Sequence, residues 1–152
     1  VSKIIELGKG YNKLPALLGN YDVELDKAEE ILVIKGKLLE AANVENSPWQ
    51  HYFDQKKIEL HTLVKYFEME VSRVRGKLFI SYKETHSREL NEREINKYID
   101  NEEAYLRVYQ LLLEVKEMFE RYEGTVHSFT SRAYSLNNIT KIRVASLEDV
   151  EL

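Results

Sequence analysis

The side chains able to do chemistry are numerous in this chain, but they are not grouped. Its four histidines, His51, His61, His86 and His127, lie on separate stretches, and none stands three or four residues from another. A di-metal centre in a helical bundle needs Glu-x-x-His twice, and the chain contains no instance of it. Glu123 and His127 share a helix face, which is the spacing of an ordinary surface contact and supplies too few ligands for a metal. No glycine-rich phosphate loop, Gly-x-Ser-x-Gly elbow or His-Glu-x-x-His motif occurs. Cysteine is absent altogether, which excludes disulfides, zinc-thiolate sites and thiol nucleophiles and suits a reducing compartment. The expectation is therefore a protein that is not an enzyme and uses neither cofactor nor metal.

Charge is more informative than any single residue type. The 152 residues carry 22 Lys+Arg against 26 Asp+Glu, a net −4, which taken whole argues against nucleic acid. The balance is uneven, however. Between Val71 and Lys83 stand Arg73, Arg75, Lys77 and Lys83 with no acid, a local +4, interleaved with Phe79 and Tyr82. From Glu84 to Glu103, seven acids against Arg88, Arg93 and Lys97 give −4. Arg121 to Val144 returns to +3, and Ala145 to Leu152 ends at −3 through Glu148, Asp149 and Glu151. Cations that track phosphates, with aromatic faces between them for bases, are what a single-strand binder needs. Arg73 and Lys77, four apart, share a helical face, and Arg75 lies on an adjacent stripe. A plainer account is that cations near a helix C-terminus complement its dipole. Tyr82 could equally close an apolar seam, and Trp49 suits a core anchor at a helix start.

The elements that must position these residues are helical. Only two prolines, Pro15 and Pro48, and six glycines interrupt the chain, and both prolines fall in the first third. Residues 1–20, with Gly8, Gly10, Pro15 and Gly19, read as a docking arm rather than a free helix. Leu25, Ala28, Ile31, Leu32, Leu38, Leu39 and Ala42 predict a first helix from Tyr21 to Ala42, with Gly36 a tolerated weak point. Asn43 to Pro48 reads as a break, with Ser47 as cap and Pro48 in the first turn of the next helix. That second helix runs from Trp49 to about Glu84 on Phe53, Leu60, Val64, Phe67, Val71, Val74 and Leu78. Thr85 to Tyr98 supplies a reversal, with room for a short helix from Glu92. A third helix, capped by Asp100 or Asn101, carries Tyr105, Val108, Leu112, Val115, Phe119, Tyr122, Val126, Phe129, Ala133 and Leu136 at alternating spacings of three and four.

A seven-residue repeat sustained over this length reads as coiled-coil-like packing, so the second and third helices should pair as a long antiparallel hairpin. The organisation expected is an arm over residues 1–20, one all-α domain over 21–144 and an acidic tail over 145–152. Leu106, Tyr109, Leu111, Leu113 and Met118 add a second stripe to the third helix, wider than one partner helix covers, which points to self-association. No apolar run approaches a membrane span, and the stretch from Val1 lacks the pattern of a signal peptide, so a soluble intracellular chain without membrane partners is expected.

The end of the second helix, Arg75-Gly76-Lys77-Leu78-Phe79-Ile80-Ser81-Tyr82, the turn into Ile99-Asp100, and Ser131-Arg132-Ala133-Tyr134-Ser135-Leu136-Asn137-Asn138-Ile139 together resemble the UvsY family of phage recombination mediators. The similarity spans about residues 40 to 144. It implies an all-α, ring-like homo-oligomer that binds single-stranded DNA and loads the phage recombinase onto strands covered by single-strand binding protein, in the cytoplasm of an infected bacterium. The basic pair of the family motif falls on Arg75 and Lys77, with Arg73, Tyr82 and Lys83 as neighbours from the local charge pattern. Arg132 and Tyr134 match the late motif and, with Leu106, Tyr109 and Leu113, are expected to pack subunits, although Arg132 could instead pair with an acid of a neighbouring helix. The alternative class is a structural or adaptor protein of a helical phage assembly, in which the heptads alone account for function.

Overall fold

The computed structural model describes residues 9–150, with side chains described for residues 10–146. Among them every regular element is helical: α1 (Leu14–Leu32), α2 (Leu39–Thr85), α3 (Glu92–Ile99) and α4 (Glu103–Val150), preceded by a short turn at Lys9–Tyr11. At about 1.5 Å per residue, the 47 residues of α2 and the 48 of α4 each extend roughly 70 Å. Contacts pair Asn46 with Phe129, Glu68 with Lys116 and Arg75 with Tyr105, so positions rise along α2 as they fall along α4. The two long helices therefore lie antiparallel.

Against this pair packs α1, whose Leu14, Leu17, Tyr21, Leu25 and Ala28 are buried on one face. Tyr21 donates to Glu59 of α2 at 2.8 Å and its carbonyl accepts from Tyr122 of α4 at 2.9 Å, which ties all three helices at one level. The core runs through Phe53, Leu60, Leu63 and Phe67 of α2 and Val115, Tyr122 and Phe129 of α4, all fully buried. Each such side chain contributes on the order of 1.5–3 kcal/mol. Trp49 packs edge-on against Tyr52 at the rim of this core, half-buried and inside α2 instead of at a helix start. A smaller core, Leu90, Ile95 and Ile99, is completed by Leu78, Phe79, Tyr82 and Tyr105.

Several boundaries differ from those the sequence suggests. The first helix begins at Leu14 within the expected arm, because Pro15 occupies the first turn, where its missing N–H costs nothing; residues 1–8 lie outside the described part. That helix stops at Leu32 instead of Ala42. Gly36 is a turn residue at φ 83°, inside a turn closed by Lys37 N–H to Ile34 O at 3.1 Å. No break exists over Asn43–Pro48, and Pro48 lies inside α2. Asp100 caps the end of α3 instead of starting α4, which begins at Glu103. The short helix from Glu92 is present, fixed by a capping box in which Asn91 and Glu94 exchange hydrogen bonds. Helix α4 continues through residues 145–150, so the acidic segment is an extension of the helix up to Val150. Finally, the seam passes from Phe129 to Arg132 and Leu136, leaving Ala133 exposed.

Candidate nucleic-acid interface

Positions two apart on a helix point about 200° from each other, so the basic-x-basic run at the end of α2 divides between two flanks. Arg75 turns toward α3 and the start of α4. Its Nη1 donates to Asp100 at 3.1 Å and its Nη2 to Asn96 at 3.0 Å, while the guanidinium lies 5.2 Å from the Tyr105 ring centroid. Tyr82, seven residues on, shares that flank. It donates to Glu102, stacks on Tyr98 with centroids 5.5 Å apart, and belongs to the smaller core. The hydrogen bond to Glu102 favours the neutral phenol and raises its pKa. Both residues therefore hold the helical reversal together, and the seam-closing role considered for Tyr82 is the one its contacts display.

The other flank carries Arg73 and Lys77, one turn apart and exposed. Arg73 donates to Glu70 through Nε at 3.0 Å and Nη2 at 2.7 Å. Glu70 also accepts from the Tyr11 hydroxyl. The Arg73 bonds, followed by that of Tyr11, outweigh desolvation and hold the Glu70 carboxyl below the ordinary range. Lys77 and Lys83 are exposed, and neither has an ion-pair partner among the described residues. Of the five side chains assigned to DNA from the sequence, the fold thus places Arg73 and Lys77 side by side, sets Lys83 apart on the last turn of α2, and commits Arg75 and Tyr82 to internal contacts.

The residues assigned to subunit packing also divide. Leu106, Tyr109 and Leu113 form an exposed row on α4, at 49%, 41% and 49% exposure, and Tyr134 is 69% exposed at the far end. Met118 of the same stripe is buried, and Leu111 is half-buried against the main core. Arg132, in contrast, is buried inside its own chain: it donates to Ala42 O at 3.1 Å, Asn46 Oδ1 at 2.9 Å and Glu45 at 2.6 Å. Its contacts are those of the alternative considered for it, a pair with an acid from a neighbouring helix, and they leave it no surface for another subunit.

Arg107 of α4 was not singled out by sequence. It is exposed, has no ion-pair partner among the described residues, and shares a cleft with Arg73. Nothing along the chain marks it, because it is a lone cation beside the seam residue Val108. Among the described residues no three His, Asp or Glu side chains converge as metal ligands, and no helix is long and apolar enough to cross a membrane. Compared with protein families, curated proteins and solved structures, the chain finds no match.

Proposed function

We propose that this protein binds single-stranded DNA and acts, as an oligomer, as a recombination mediator of the UvsY type. The observation that carries the proposal is the solvent-facing row of Arg73 and Lys77 in a segment of four cations without an acid, two of which, Lys77 and Lys83, have no ion-pair partner among the described residues. Phosphates would be met chiefly by Lys77, Lys83 and the outer edge of Arg73. Arg75 and Tyr82 would act by fixing the reversal that presents them.

Few cations per chain give weak affinity, so useful binding requires several copies on one strand, where effective concentration multiplies the contacts. The exposed row Leu106, Tyr109 and Leu113 offers an apolar face for such assembly, in which a ring would set the basic flanks side by side. In that role the protein would load a recombinase onto strands covered by single-strand binding protein and work in the host cytoplasm, without covalent chemistry. Titration of a labelled oligonucleotide by fluorescence anisotropy at low and moderate salt tests this. Salt-sensitive, sequence-independent binding is expected, with a log-log slope of about 0.7 per phosphate contact. Absence of binding at low salt defeats it. The same apolar row favours a second function, a structural or adaptor component of a helical assembly. That role shares the oligomer and lacks DNA affinity, so light scattering with and without DNA separates the two.

A further inference from the structure

Beside the turn that precedes α1 lies a cleft of about 350 Å³, enclosed by that turn, the end of α2 and the start of α4. This is within the ~300–1,000 Å³ range of small-ligand sites. Arg73, Arg107 and Asn12 line it, and its floor is Val74, Val108 and Leu111. The cleft therefore combines two guanidiniums and an amide with an apolar base.

The way Arg73 is held matters for what it can bind. Gly10 and Tyr11 both have positive φ, 79° and 61°, a conformation unfavourable for tyrosine. It is retained because the Tyr11 ring packs against Phe67 and Tyr66, with centroids 5.2 and 6.4 Å away, and its hydroxyl reaches Glu70. Glu70 is thereby fixed and takes two N–H groups of Arg73. A guanidinium carries five donors, so with two on Glu70 and the Tyr11 hydroxyl also in reach, part of the fork remains for an anion. Arg73 and Arg107 are the charged residues of the lining, and with Glu70 held on Arg73 they leave a local +1.

We propose that this cleft seats one nucleotide of the bound strand, its phosphate between Arg73 and Arg107 and its base against Val74, Val108 and Leu111. The proposal rests on the strand binding proposed above and adds Arg107, from a different helix, to the phosphate contacts. A bare phosphate would leave the apolar floor unused, and an apolar peptide would leave two guanidiniums unmatched. A phosphodiester bearing a flat, weakly polar base satisfies both.

The test measures oligo-dT affinity and its salt dependence for the full chain and for Arg107→Ala, Arg107→Lys and Lys77→Ala. Alongside, dTMP is titrated into methyl-labelled wild-type protein. Arg107→Ala should weaken binding by about 3- to 10-fold and lower the salt slope by about 0.7, with Arg107→Lys restoring the slope. Because Arg107 is exposed, circular dichroism should be unchanged. The dTMP should shift the methyls of Val74, Val108 and Leu111. If Lys77→Ala weakens binding while Arg107→Ala does not, or if those methyls stay silent, the strand runs elsewhere and the cleft assignment falls while strand binding stands. If the wild type fails to bind oligo-dT at low salt, both fall. If an acidic peptide shifts the methyls and dTMP does not, the cleft takes protein and the assignment is overturned.

Discussion

Arg132 and Arg75 each hold one end of the α2–α4 pair, and they do so under different exposure to solvent. The Arg132 side chain is 2% exposed and meets two oxygens of the α2 N-terminal segment besides the Glu45 carboxylate. Arg75 is 36% exposed and meets Asp100 and Asn96 at the rim of the reversal. Chemically the two clamps are alike; their expected weights are not. A charge out of water depends wholly on its protein partners, so loss of any of them is costly. An exposed pair competes with water and salt and contributes little. At the buried end, moreover, the clamp lies next to a helix defect. Pro48 has no N–H for the carbonyl of Val44, a cost of about 3 kcal/mol in a helix interior. Arg132 and the Asn46 side chain, which donates to Phe129 O at 3.2 Å, fasten the stretch before that proline to α4.

The difference can be broken by mutation. Arg132→Ala should cause the largest loss, about 3 kcal/mol in urea unfolding, because Ala42 O and Asn46 Oδ1 lose a buried donor. A cost below that of an exposed pair would mean the two ends are equivalent. Pro48→Ala should stabilise the protein by about 2 kcal/mol, since it restores a helical hydrogen bond in a continuous α2. A neutral or destabilising result would instead favour a helix that starts at that proline.

Acid provides a third test. Burial raises the Glu45 carboxyl, but hydrogen bonds from Lys37 and Arg132 outweigh it and the pKa ends lowered. A lowered folded pKa gives stability that is complete above the ordinary glutamate value and lost as pH falls through the folded one. The wild type should lose this stability below about pH 4.3, and Glu45→Gln should lack that component of the acid transition. Arg75→Ala should cost only about 0.5 kcal/mol. It should also weaken oligonucleotide binding less than Lys77→Ala, because its donors are spent on Asp100 and Asn96. The reverse order would return Arg75 to the phosphate surface.

Much of the fold is legible along the chain. The alternating spacing from Val108 to Phe129 marks the buried face of α4, and Phe53, Leu60, Val64 and Phe67 mark that of α2. The short helix expected from Glu92 is present, and the structure adds the Asn91–Glu94 capping box that starts it. The departures have local causes that tertiary contacts overruled. Gly36 looks like a weak point in a helix, yet it occupies a turn that lets α1 fold back on α2. Pro48 looks like a helix start, yet the contacts of Arg132 and Asn46 carry the helix across it. Ala133 fits the apolar repeat, yet the adjacent Arg132 reaches inward because Glu45 and Asn46 face it.

Of the candidate interface, residue order alone locates the cations, since a run from Arg73 to Lys83 without an acid is a property of composition. It also determined the helical class and the antiparallel pairing expected of two long seams, because apolar periodicity is a local signal that fixes which face must be covered. Which cations remain available follows from the packing of the helices. Arg75 is committed by Asp100 and Asn96, Arg132 by residues 86 to 90 positions away, and Arg107 lines the same cleft as Arg73 of another helix. Whether a guanidinium faces solvent, an acid or a cleft depends on partners distant in the chain, and one-dimensional spacing carries no record of them.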